Sequence, residues 1–500
     1  MKKSLPAFGI IIVWLSISFL YSRDFVFISP GDGQRDAAII TNILSGNILG
    51  DPAYAGEHAW YPFLMHIYFA FIKTITNIPV QMLLSQFGWL APLPSILLIA
   101  LLLLKESRSW LFVSLGLLAF ILFIPWTQEM FLLSSHPMVF SLGIVCLAFF
   151  TFSKTMKTGR WKYFFYSAIS LALLVYSHTI ASLSVAAGFT LYTLLTKKHL
   201  GKFIVMAILS FILTLPYLWP IISVYKLTPV NSSVYSFRGI YNANSLPEIL
   251  NAHLYGFGWL RWVNTFFIVS GVIRVNPIIL SVYFASFIMT LPSFIPSLPS
   301  FAPHDFQVFN HFVAIFLYVS GVAFWLKKVK KSLRPLVFFS FLALNIMLVW
   351  PTYTANLEKR HLQLITGNIK EPDWLAASNW INDNTKITDV IAATPDRSYF
   401  YVSGFTGRKV VATHNNFANA FVNQNKRLRD LYELYSTQDQ EVFIQIARYY
   451  NISYIIASPY EASYVGLSNL NKFDSYTNLR KVFTSVSVSI YKFIESDAAK

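Results

Sequence analysis

Cysteine is nearly absent from this 500-residue chain: Cys146 stands alone in an apolar run. One thiol excludes a disulfide framework and a cysteine-based metal site, and it reads as a small core hydrophobe. Charge is scarce too, at 12% of residues against 55% hydrophobic, where a soluble globular chain carries about 25% charged residues. Long apolar runs take its place, so the composition is that of a polytopic membrane protein. Internal repeats and low-complexity tracts are missing. So is a glycine-rich phosphate loop after a strand, because Phe405-Thr406-Gly407-Arg408-Lys409 is too short and too common to be one. The first residues have a basic end and an apolar core but no small-residue cleavage site, and they read as an uncleaved first span.

Acidic residues are the scarcer charge. Residues 1–351 contain nine, and four of them (Asp32, Asp36, Asp51 and Glu57) fall within positions 29–62, with His58 beside the last. Carboxylates are costly to hold in or against lipid, so such a cluster needs a local reason. The working reading is that this loop is half of an active site.

The net charge of +16 is unevenly spread: 23 basic against 9 acidic residues in 1–351, and 16 against 14 in the last 149. The excess sits in short loops, which is the positive-inside pattern and not a nucleic-acid footprint. Taking the N-terminus and the basic loops as cytoplasmic, spans fall near 80–104, 110–125, 129–152, 162–178, 180–196, 203–222, 261–275, 277–295, 309–326 and 335–351. With the first, that makes eleven and puts the acidic loop, the loops 223–260 and 296–308, and everything after Pro351 outside. Residues 61–76 are short for a span and read equally as a twelfth span or as a re-entrant or interfacial helix. The expected fold is therefore a bundle of about eleven to twelve transmembrane helices over 1–351, followed by an extracytoplasmic α/β domain over 352–500. In the latter, periodicity predicts helices at 372–383, 416–434 and 438–450 and strands at 388–394, 408–413, 452–457 and 486–493.

Each candidate residue has a plainer reading beside the functional one. Asp32, between two glycines ahead of a helical pattern, is either an N-cap or a carboxylate able to take a proton from an acceptor hydroxyl. Asp36 shares its helical face and either joins a metal or substrate site or pairs with Arg35. Asp51-Pro52 is a turn signal. Glu57 and His58 are ligands or a solvated rim, and Trp60 and Tyr61 read as interfacial anchors. His304-Asp305 lies in a Pro-rich external loop and offers too few neighbours for a metal site by itself. Arg360 is the first choice for a lipid phosphate, since its planar fork suits that group, with Arg238 and Arg261 next. His136 and His178, at span ends, read as hydrogen-bonded structural histidines.

Three local patterns then acquire a common meaning. Asp32 stands ten residues before Asn42-Ile43-Leu44-Ser45-Gly46, and Tyr61-Pro62-Phe63-Leu64 enters the next apolar helix. The tail carries Trp380-Ile381-Asn382, Asp389-Val390-Ile391, a segment from Tyr449 to Ile456, and Ile490-Tyr491-Lys492. Together these resemble the GT-C superfamily of polyprenyl-phosphate-sugar-dependent membrane glycosyltransferases, in its bacterial and archaeal form with a C-terminal extracytoplasmic domain. The chain departs from that pattern in having Asp32 followed by Gly33 instead of an Asp-Glu pair, and a single Pro62. The absence of a Trp-Trp-Asp-Tyr-Gly segment argues against an oligosaccharyltransferase.

The resemblance implies catalysis at the outer face with Asp32 as general base. Asp36 or Glu57 would orient the acceptor or a divalent ion, Mg or Mn. Arg360, with Arg238 or His304, would stabilise the departing phosphate. The implied partners are a polyprenyl-phosphate sugar, a glycan, lipid or protein acceptor, and the bilayer. The rival classes are a transporter or flippase, which would show repeated halves, and a non-catalytic export subunit.

Overall fold

In the computed structural model the described residues are 5–25, 32–107, 109–123, 135–231, 261–290, 303–366 and 371–494. They divide into two compact units, the first formed by Met1–Phe25, Ser85–Pro216 and Phe237–Thr366, the second by Val26–Leu84, Tyr217–Ser236 and Gly367–Lys500.

The first unit is helical. Among the described residues, five helices of the chain are long and apolar enough to cross a bilayer: Gly88–Lys105, Pro137–Thr158, Thr179–Thr196, Leu200–Ser223 and Val308–Lys328. Shorter apolar helices run over Pro6–Ser22, Trp110–Ile121, Trp262–Val272, Pro277–Ile288 and Arg334–Leu348. Their starts are written locally. His136 and Asn276 each accept a hydrogen bond from a first-turn N–H and each precedes a proline, so a cap is followed by a residue preset for the helix. His178 caps the helix after it in the same way, so both histidines have the structural role that their position at span ends suggested. Close crossings use small residues. Gly271 faces the backbone of Leu317 and Gly321 faces that of Phe267, with no room for a Cβ at either place.

The second unit is built on a five-stranded sheet in the order β2-β1-β3-β5-β4. Its strands are β1 (Val390–Ala392), β2 (Lys409–Val410), β3 (Ile452–Ala457), β4 (Leu479–Thr484) and β5 (Ser489–Phe493). β2, β1 and β3 are parallel, while β5 runs antiparallel to both β3 and β4. Side chains alternate along β3, and helices cover both faces. Ile455 packs with Leu431, Leu434 and Phe443 of Gln424–Ser436 and Gln440–Tyr449. Tyr454 and Ile456 pack with Trp374, Ala377 and Ile381 of Pro372–Asn384. This is an α/β layering with a parallel centre, buried on both sides. Ala53 and Tyr54 of the acidic loop join the second of these cores.

Four expectations need correction. The boundary at 351/352 falls inside one helix, Arg334–Thr366, which runs through Pro351; a proline removes one backbone donor, and a helix among neighbours tolerates that. The second unit is not the tail alone, since residues 26–84 and 217–236 belong to it. The span near 80–104 is broken into Val80–Gln86, Gly88–Leu90 and Pro92–Ser107. The helix predicted from 416 begins at Gln424, capped by the Asn423 side chain. Residues 61–76, left open by hydropathy, contain the helix Leu64–Thr76. At 13 residues it is only about 20 Å long, too short for a core of about 30 Å. It is followed by a 112° bend into Val80–Gln86, the geometry of a broken span or re-entrant loop.

Candidate active site

The acidic segment folds as the helix Asp32–Leu44, and Asp32 is its first residue. An aspartate there is favoured by the positive end of the helix dipole. Seven of the next eight residues that follow Gly33 turn inward, among them three polar ones: Gln34, Arg35 and Asp36. Burying a guanidinium and a carboxylate is tolerable only if they satisfy each other. They do. Arg35 Nη2 lies 3.3 Å from Asp36 Oδ1 and Arg35 Nη1 lies 3.2 Å from Asp32 Oδ1. His66 Nε2 donates to the same Asp36 oxygen at 2.9 Å, and His66 and Asp36 are both fully buried.

Aromatic groups complete the setting. The Arg35 guanidinium sits 3.8 Å over the Tyr61 ring, a cation–π contact strengthened by desolvation. The Arg35 backbone N–H donates to the Tyr399 hydroxyl at 3.1 Å, and Tyr399 stacks on Phe417 with ring centroids 4.2 Å apart. Burial works against the Arg35 charge, but Asp32, Tyr61 and Asp36 more than offset it, and the guanidinium pKa ends above its ordinary value. Asp32 alone opens outward, its side chain half exposed. The cluster thus presents one carboxylate to solvent and fixes it from behind.

A second polar node holds the loop that follows. The Asp51 carboxylate accepts from the Ala53 and Tyr54 N–H groups at 2.7 and 2.8 Å and from the Asn419 amide at 2.8 Å. Burial pushes its pKa up. Lys409 donates to Asn42 Oδ1 at 2.8 Å and to the Asp51 carbonyl at 2.6 Å, and burial pushes its pKa down to about 8. Asn42 in turn donates to the carbonyls of Asn47 and Gly50. The Asn-x-Leu-x-Gly pattern is therefore architectural here, and Asp51 is a buried anchor as well as a turn residue.

Of the residues singled out in the sequence, Asp32 and Asp36 come together through Arg35. Asp36 is fully buried, and of its two readings the pairing with Arg35 is the one that its contacts display. Glu57 lies elsewhere in the unit, accepting from the Tyr225 hydroxyl at 2.9 Å and facing Arg427 at 3.6 Å. The His58 N–H also donates to Tyr225. Arg238 lies outside the described residues. His304 and Asp305 are on the helix Pro303–Lys328 and Arg360 is on Arg334–Thr366, with their side chains outside the described ones. Arg35, Tyr61, His66 and Tyr399 are the participants that sequence reasoning missed or passed over. The available signal was three successive polar residues, Gln34, Arg35 and Asp36, leading directly into the apolar run Ala37–Ile40 of the same helix.

Among the described residues, no group of three or more His, Cys, Asp or Glu side chains is placed to hold a metal ion. Asp32 and Asp36 are bridged by the Arg35 guanidinium.

No protein-family model matches the chain, and no curated protein matches it by sequence. Solved structures do match. The oligosaccharyltransferase AglB from Archaeoglobus fulgidus, in complex with an inhibitory peptide and a dolichol-phosphate, superposes with a TM-score of 0.57 at 12% identity. The match covers 99% of this chain and 74% of that one. The Archaeoglobus fulgidus oligosaccharyltransferase in complex with Zn and sulfate gives 0.57 at 13% identity over 98% and 74% of the two chains. ArnT from Cupriavidus metallidurans, bound to undecaprenyl phosphate, gives 0.57 at 11% identity over 96% and 97%. The chain has the fold of these GT-C membrane glycosyltransferases, as its sequence motifs implied, and is an integral membrane protein.

Proposed function

We propose that the protein transfers a sugar from a polyprenyl-phosphate-linked donor to an acceptor hydroxyl at the outer membrane face, with Asp32 as general base. The observation that carries this reading is the half-exposed Asp32 carboxylate on a rigid support of Arg35, Asp36 and His66. A general base needs access to a proton and a fixed position, and both are present here. The shared fold with AglB and ArnT, whose structures hold dolichol-phosphate and undecaprenyl phosphate, supports the donor class.

The step balances simply. The acceptor hydroxyl gives its proton to Asp32 as its oxygen bonds to the anomeric carbon. The bond from that carbon to the lipid phosphate breaks, and the phosphate leaves with the electron pair. Arg360, with Arg238 or His304, is assigned to neutralise that departing charge, the kind of stabilisation that contributes most in a water-poor site. Glu57 and His58 order the loop beside the acidic helix, and Asp305 accompanies His304. No step is routed through a divalent ion; Arg35 offsets one of the two carboxylate charges.

The test is Asp32→Asn, assayed in membranes for transfer from a polyprenyl-phosphate sugar. The proton acceptor is lost and the fold is kept, so turnover should fall by about 10²-fold or more. Turnover within about threefold of the parent, with unchanged thermal stability, removes Asp32 from the mechanism.

A further inference from the structure

Within the second unit, the carboxyl ends of the parallel strands surround a cavity of about 530 Å³. The strand order explains why it lies there. The chain passes from β1 to β2 on one side and then crosses to β3 on the other, so β1 and β3 flank a point where the winding reverses. Crevices at such points are where open α/β sheets bind ligands, and the volume lies in the range of small-ligand sites. The walls combine three loops: Asp396 and Arg397 after β1, His414 and Asn415 after β2, and Tyr460 and Tyr464 after β3.

The lining selects the ligand chemistry. Arg397 is the only lysine or arginine among the described lining residues, and it is already committed. Its Nη1 lies 2.6 Å from Glu371 Oε2 and its guanidinium 3.6 Å over the Tyr460 ring. Asp396 adds a carboxylate, so an anion would find no surplus positive charge. What is offered instead is a half-exposed aromatic ring, Tyr460, beside amide, imidazole and hydroxyl groups that both donate and accept. A saccharide presents the complementary mixture of apolar C–H faces and hydroxyls.

The cavity also borders the candidate active site. Thr413 lines both it and the small cavity beside Arg35. The His414, Phe417 and Tyr399 rings follow one another from this wall to the Arg35 backbone. We propose that this cavity binds a neutral saccharide portion of the acceptor; calling it the acceptor rests on the transferase reading, whereas saccharide binding does not.

The experiment uses the full chain in detergent, with maltotriose, cellotriose and triacetylchitotriose as probes and a Ser/Thr-containing peptide as comparator. Saturation-transfer NMR should show at least one trisaccharide bound. Its Kd should rise at least tenfold in Tyr460→Ala, and also in Asp396→Ala, which changes an exposed side chain and leaves the sheet intact. The proposal is overturned if no trisaccharide binds, if the peptide binds in its place, or if both variants bind like the parent. Asp32→Asn separates the two readings, because it should abolish transfer and leave trisaccharide binding unchanged. Retained transfer in that variant would remove the reaction assignment without touching the cavity.

Discussion

Deleting the Asp36 carboxylate would leave the Arg35 guanidinium buried, with the half-exposed Asp32 as its remaining ion-pair partner. Breaking a buried pair from one side costs about 3–5 kcal/mol, while a pair with a solvated member is worth about 0–1 kcal/mol. Asp36→Ala should therefore lower the unfolding free energy by on the order of 3 kcal/mol, and Asp32→Asn by less than about 1 kcal/mol. Denaturant unfolding in detergent measures both. Equal small losses would mean that Arg35 does not depend on Asp36. The two substitutions also separate the roles at the level of activity: Asp32→Asn loses turnover in a stable protein, whereas Asp36→Ala loses the fold around the site first. Asp32 was identifiable from the sequence because a carboxylate in a basic, apolar chain is conspicuous. His66 was not, because a single histidine in an apolar helix looks the same whether or not an aspartate thirty positions earlier meets it.

The acidic helix depends on a segment far away in the chain. Gly404 ends the helical turn Ser398–Gly404, and its Cα packs against Gln34 so closely that a Cβ there would meet the Gln34 side chain and, at 2.9 Å, the Tyr399 carbonyl. Gln81 ties the same place by donating to the Gly404 carbonyl at 2.8 Å. Gly404→Ala has no flexible neighbour to displace on the Tyr399 side, and overpacking of this kind costs about 1–3 kcal/mol. It should lower both the melting temperature and kcat, with KM for the donor within about twofold. A variant as stable and active as the parent would show that the helix does not need this seat. Most helices here could be read from hydropathy and the strands β1, β2, β3 and β5 from β-branched runs. β4 escaped because Leu479-Arg480-Lys481 places two cations on a solvated edge strand, where burial leaves no alternating pattern to read. The seat of the acidic helix escaped for a different reason: a glycine in Gly404-Phe405-Thr406-Gly407 looks like any turn until its distant partner is known.

Charge patterning assigns four stretches to the outside, among them the first loop, the loop after 222, and the tail. Of these three, residues 29–62, 223–236 and 367–500 fall in the same compact unit. Within it the Ala53 carbonyl accepts from Val410, the Ala420 carbonyl accepts from Val230, and the Asn419 amide donates to Asp51. Segments joined in this way share one side of a bilayer, because lipid admits no unpaired backbone between them. The basic loops predict which side that is, and the expectation is open to a direct test, since the chain has one cysteine and it is buried. In a Cys146→Ala background, single cysteines can replace Ser45 at the end of the acidic helix, the exposed Val486 in the tail, and the exposed Lys198 and Lys330 in basic loops. A membrane-impermeant maleimide applied to right-side-out vesicles should label Ser45→Cys and Val486→Cys at once, and Lys198→Cys and Lys330→Cys only after permeabilisation. The reverse pattern would turn the protein over and place the proposed reaction on the cytoplasmic face. Labelling of Ser45→Cys and Val486→Cys from opposite sides would contradict the second unit itself.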